Sequence, residues 1–204
     1  MLNLTELQRD TITELLNIGV GRAAAALSEM VGEEIELSVP SIEVLSRREA
    51  MTCITGNTAQ RIVAVQQQFS GSFWGDTMLI FPEAQSLELV RSIMQETLPL
   101  EVMTEMEQEA FLEIGNIILN ACIGSIANML QSEVCSSLPV LLCGSCEEIL
   151  DGGSTALASE EAVMLLRMGF ALQQQAMQGC VVFIVDHHAL VAIQSSVDHF
   201  LSHI

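Results

Sequence analysis

With 204 residues, half of them apolar, the chain can bury a large core as one big globular domain or two small ones, and it is not a disordered sequence. Its charge is lopsided: 26 acidic residues stand against seven basic ones, a net charge of −19, and all seven cations are arginines. Without a lysine there is no Gly-x-x-x-x-Gly-Lys phosphate loop and no Schiff-base nucleophile, and so acidic a chain is a poor ligand for nucleic acid.

The first element is a helix. Thr5-Glu-Leu-Gln8 reads as a capping box, and Leu4, Leu7, Ile12, Leu15, Leu16 and Val20 follow at helical spacing. No proline interrupts before Pro40, and Gly32 marks the stop. Asp10, Glu14 and Asn17 lie at i, i+4 and i+7, within roughly 60° of arc, so they form one polar stripe. Residues 34–46 then alternate as a strand broken at Pro40, and 61–69 and 73–81 read as a hairpin turning at Gly71-Ser72. Pro82 suits the start of a helix over 83–95.

The same order returns in the second half. A capping box at Thr104-Glu-Met-Glu107 opens a helix over 104–131, carrying a second stripe of Glu109, Glu113 and Asn116. An extended stretch over 134–143 contains Pro139. A loop is expected over 144–161, a hairpin from 162–174 and 179–185 turning at 175–178, and a closing helix over 187–203. The two stripes are 99 residues apart, and in each the asparagine precedes its proline by 23 positions. Between 5–40 and 104–139, nine of 36 positions are identical, against about two expected from average residue usage. This is an internal repeat.

Each half therefore reads as helix, strand, hairpin, helix. Neither hairpin can cover its own apolar faces. The expected fold is α/β of the α+β type: one domain of two repeats, about 1–99 and 100–204, related by a pseudo-twofold. One β-sheet is shared, and the two long motif helices pack as a pair with their stripes outward. Gly19, Ala23, Ala24, Ala26, Gly124, Ser125 and Ala127 are small enough to allow close helix approach.

The remaining candidates are weaker. Six scattered cysteines suit a reduced compartment, and Cys143-Gly-Ser-Cys146 has no second pair or histidine cluster beside it in sequence. A metal or redox site built on Cys143, Cys146 and His187 is the lesser reading, and His187-His188 fits a helix start. The methionines suit core filling. No run of 18 apolar residues offers a membrane span, and the first residues lack the basic and apolar regions of a signal peptide. No membrane insertion and a cytoplasmic location are expected.

A Glu and an Asn three apart on one helix are ordinarily a solvated face. Their repetition at a fixed offset, each pair with its proline, is not. The pattern Asp-x3-Glu-x2-Asn-x22-Pro, present twice over essentially the whole chain, resembles the CheC/CheX/FliY family of bacterial chemotaxis phosphatases, its two-copy CheC-like form most of all. Asp10 fits the family's first position and Glu109 departs from it.

The resemblance implies a phosphatase acting on the phospho-aspartate of a CheY-type response regulator. Asn17 and Asn116 would hold the attacking water, Glu14 and Glu113 would pair with a cation on the regulator, and Asp10, Glu109, Pro40 and Pro139 would support the motif. For both prolines the residues themselves suggest a strand edge or bulge. No cofactor is expected on this chain. A divalent metal, magnesium, and a lysine would come from the regulator, and a deamidase, CheD, is implied as a stimulating partner. The alternative is a protein that binds or sequesters phosphorylated regulator without hydrolysing it.

Overall fold

The computed structural model describes residues 4–56, 60–71, 74–94, 103–152, 161–172 and 175–202. The first half runs α1 (Glu6–Val31), β1 (Ile35–Leu45), α2 (Arg47–Thr55), β2 (Arg61–Gly71), β3 (Gly75–Pro82) and α3 (Glu83–Met94). The second runs α4 (Glu105–Met129), β4 (Val134–Ser136), β5 (Val140–Ser145), α5 (Cys146–Gly152), β6 (Glu161–Leu172), β7 (Gln175–Asp186) and α6 (His187–Leu201). Both expected capping boxes close, Thr5 with Gln8 and Thr104 with Glu107. Gly32 ends α1 in the left-handed region at φ 77°. In the second copy that position is Gln131, also left-handed at φ 49°.

The strands form one antiparallel sheet in the order β1-β6-β7-β3-β2-β4, with β5 continuing along β2 beyond β4. This order is palindromic, and it exchanges strands between the halves. β1 pairs with β6 of the second hairpin, while β4 and β5 pair with β2 of the first. The two hairpins meet at the centre, β3 against β7.

Both faces of the sheet are covered, which is why its central strands are apolar almost throughout. Val63, Val65, Leu79, Phe81, Phe183 and Val185 face the layer of α1, α3, α4 and α6. Ile62, Ala64, Met78, Ile80, Val182 and Ile184 face α2 and α5. In composition α4 is long and apolar enough to cross a membrane, yet its apolar stripe, including Phe111, Ile114, Ile118 and Ile126, is buried in this core.

The motif helices pack as a pair through Gly19. A Cβ there would lie 2.0 Å from Ser125 Oγ and 2.9 Å from the Ala121 carbonyl. Gly124, expected to serve the same contact, faces open space. At the other side of α4, Gly115 touches the sheet, where a Cβ would lie 2.5 Å from Val65 Cβ.

Four expectations are corrected. The segment 134–143 is two strands, split at Pro139. The stretch expected as loop after Gly144 begins with the last residues of β5 and with α5, while 153–160 lies outside the described residues. The stretch 175–178, expected as the turn of the second hairpin, is already in β7, while 173–174, like Ser72 and Phe73, lie outside the described residues. Helix α2 was not expected at all, although Ser46 and Glu49 form a capping box 99 residues before the matching Ser145 and Glu148.

Candidate functional site

Each motif helix presents its stripe to solvent. Asp10, Glu14, Glu109 and Glu113 are exposed, whereas Asn17 and Asn116 are half-buried where helix meets strand. An apolar residue heads each stripe at equivalent positions, Leu7 (60% exposed) and Met106 (63% exposed). Among the described residues neither Glu14 nor Glu113 has a hydrogen-bond or ion-pair partner. Each site is thus an apolar anchor, open carboxylates and one anchored amide in a line along a rigid helix.

The reason for the spacing between asparagine and proline is visible in the first copy. Between Ser38 and Ser41 the strand gains a residue relative to β6, because Ser38 faces Gly169 and Ser41 faces Arg167. Val39 and Pro40 occupy that bulge, and Val39 is fully buried. Asn17 takes over the missing ladder: Val39 N–H donates to Asn17 Oδ1 at 2.8 Å, and Asn17 Nδ2 donates to the Val39 carbonyl at 3.0 Å. Pro40, with no N–H to satisfy, follows immediately.

Two of the four hydrogen-bonding positions of the Asn17 amide are used in this way. One N–H and one oxygen lone pair remain. The amide can therefore both donate to and accept from a single water or substrate oxygen.

The second copy keeps the bulge but not the bridge. Phe69 faces Ser136 and Gln66 faces Val140, again one residue in excess on the motif strand. Asn116 Oδ1 accepts from Gln67 Nε2 at 3.0 Å and from Asn120 Nδ2 at 2.8 Å. Gln67 Nε2 also reaches the Ser137 carbonyl at 3.1 Å, so its side chain stands between Asn116 and the strand. Leu138, the counterpart of Val39, is 86% exposed. Gln67 itself is buried, and its Oε1 finds no donor among the described residues.

Gln67, Asn120, Val39 and Ser137 are site residues that sequence reasoning missed. A cue existed for Gln67: the run Gln66-Gln67-Gln68 continues a strand whose preceding residues are apolar, and alternation turns the middle one inward.

The start of each helix is secured at the same position. In the second copy buried Glu107 meets Arg91 of α3 at 2.8 Å, and its carboxyl is held below the usual range by Arg91 first and by the Thr104 N–H second. In the first copy Gln8 fills this place and donates to Asp198 of α6 at 2.6 Å.

The cysteine and histidine candidates are not brought together. Cys143 faces Val63 at one end of β2, whereas Val185, beside His187, faces Gly75 at the other end of the hairpin. Cys146 is buried, and burial first, then Asp151, pushes its thiol up to about 11. Among the described residues no group of three or more His, Cys, Asp or Glu could hold a metal.

A line of unpartnered carboxylates ending in a fixed amide, repeated at two ends of one sheet, defines a two-site surface module. The family model described as the CheC-like family matches residues 7–44, the stretch holding nearly all of α1 and β1 and the Asn17–Val39 bridge. The CheY-P phosphatase CheC of Bacillus subtilis (strain 168) is 24% identical over 67% of this chain and 66% of its own length. The flagellar motor switch phosphatase FliY of the same organism is 27% identical over 41% of this chain, which spans only 21% of that protein. Among solved structures, Thermotoga maritima FliY superposes with a TM-score of 0.73 at 16% identity, covering 97% of this chain and 99% of that one. The sequence matches support a relationship to the CheC/CheX/FliY family, and the superposition on Thermotoga maritima FliY shows that the fold is shared.

Proposed function

We propose that this protein dephosphorylates a CheY-type response regulator by placing a water in line with the phosphorus of its aspartyl phosphate. The observation that carries this reading is the amide of Asn17: fixed at two points by Val39, it still has one donor and one acceptor at the solvent edge of an acidic stripe. An acyl phosphate is a high-energy bond, and its hydrolysis requires chiefly an oriented nucleophile. The water oxygen bonds to phosphorus as the acyl C–O–P linkage breaks at phosphorus. The aspartate carboxylate and inorganic phosphate are released, and the water's proton passes to solvent.

Glu14 and Glu113 are assigned to a cation on the regulator, which seats the amide beside the phosphoryl group. Magnesium and a lysine are assigned to the regulator's own site. The names of the CheC and FliY relatives support this substrate. A cytoplasmic location and a CheD partner belong to the same proposal.

The test is the decay of a phosphorylated CheY-type receiver domain with wild type, Asn17→Ala, Asn116→Ala and the double variant. Glu14→Gln and Glu113→Gln probe docking without disturbing the fold. Acceleration by wild type that vanishes in the double variant is expected. The second reading, a non-catalytic binder, is favoured at one site by Asn116 Oδ1, which already accepts two hydrogen bonds. Binding of the phosphorylated receiver with unchanged decay would establish it for the whole protein.

A further inference from the structure

The two sites differ at two neighbouring positions. At the 99-residue offset, Gly21 stands in the first copy where Asn120 stands in the second. The strand registers place Met168 beside the first bulge where Gln67 lies beside the second: Ser41 faces Arg167 as Val140 faces Gln66, and Ser38 faces Gly169. Met168 is buried and has no amide to offer, so Asn17 turns to the backbone of Val39. In the second site Gln67 and Asn120 both turn their N–H groups onto Asn116 Oδ1.

These contacts bear directly on the reaction proposed above, on which this inference rests. A water attacking phosphorus points a lone pair forward, and its hydrogens need acceptors behind it. The amide oxygen is such an acceptor, with two lone-pair positions. Asn17 Oδ1 has used one, whereas Asn116 Oδ1 has used both. The two donors on Asn116 are unequal. Gln67 is buried and held by the Ser137 carbonyl, so it stays. Asn120 is exposed and its side chain makes no other hydrogen bond among the described residues, so it is the one that can leave.

We infer that Asn120 restrains the second site by occupying the lone pair of Asn116 Oδ1 that the attacking water requires, so that the first site is the faster of the two. Asn120 is a positioning residue that acts through Asn116. It is one turn beyond Asn116 on the same exposed stripe, and a docked regulator that draws its amide away would release the restraint.

The experiment isolates the second site by disabling the first with Asn17→Ala, or with Glu14→Arg at an exposed position without a partner should Asn17→Ala cost the fold. Decay of phosphorylated receiver is then measured with and without Asn120→Ala, a change that favours the helix. The expected result is a rise in kcat of about three- to tenfold, the factor of one net hydrogen bond, at unchanged KM. In an Asn116→Ala background the same substitution changes nothing. An unchanged kcat, or an effect confined to KM, would overturn the inference while leaving the hydrolytic reading standing. If wild type does not accelerate decay at all, that reading fails and this inference falls with it.

Discussion

Asn17 and Val39, 22 residues apart, exchange a pair of hydrogen bonds that replaces the ladder lost at the β1 bulge. The residue assigned to the water is therefore also a structural fastener. Asn17→Ala removes two hydrogen bonds and leaves the buried N–H and carbonyl of Val39 unpaired, an expected loss of about 2–4 kcal/mol. Asn116→Ala leaves Gln67 on the Ser137 carbonyl and should cost about 1 kcal/mol. Urea unfolding of the two variants measures the difference, and equal losses would contradict the asymmetry.

Two glycines of α4 are expected to respond in opposite directions. Gly115→Ala drives a methyl into both Val65 methyls at 2.6 Å, and a buried β-branched side chain cannot swing aside. A loss of about 1–3 kcal/mol should follow. Gly124→Ala meets nothing within 4 Å and should add about 0.5–1 kcal/mol through helix propensity. Thermal melts of both variants decide it.

The Arg91–Glu107 pair sets an acid limit. Because the folded-state pKa of Glu107 lies below its unfolded value of about 4.3, its contribution is fully present above that pH and is lost as the pH falls through the folded pKa. Glu107→Gln should lower stability at neutral pH by about 2 kcal/mol and flatten this part of the acid dependence. Guanidinium unfolding of both proteins between pH 2 and pH 7, roughly the span over which a carboxylate titrates, would show the curves converging at the acid end.

Thiol labelling separates the cysteines. Cys135 and Cys143 are exposed, so both should react in the folded protein. Cys122, Cys146 and Cys180 are buried, and burial raises their thiols to about 12, 11 and 12. They should label only on unfolding. Equal reactivity of Cys143 and Cys146 in the native state would revive the paired-thiol reading.

Much of this architecture is legible in the sequence because its signals are local. Thr5 and Thr104 announce their helices through a partner three residues on, and the stripes follow from helical period alone. What escaped depends on contacts distant in the chain. The pairing of β1 with β6 spans more than a hundred residues, and no period within Ile35–Leu45 encodes it. The asymmetry of the asparagines depends on Gln67 and Met168, each from the half opposite to the motif strand it adjoins. Helix α2 was missed for another reason: its nine residues hold few apolar positions, leaving the Ser46 box as its main mark.

The exchange of strands has a genetic consequence. A single half would carry a motif strand with no hairpin of its own beneath it, so it would be complete only as a pair of chains with two identical sites. Two halves on one polypeptide keep that interlocking and lift the identity. Gly21 and Asn120 can then differ, and one molecule can have an ungated site and a gated one whose relative use is open to independent mutation.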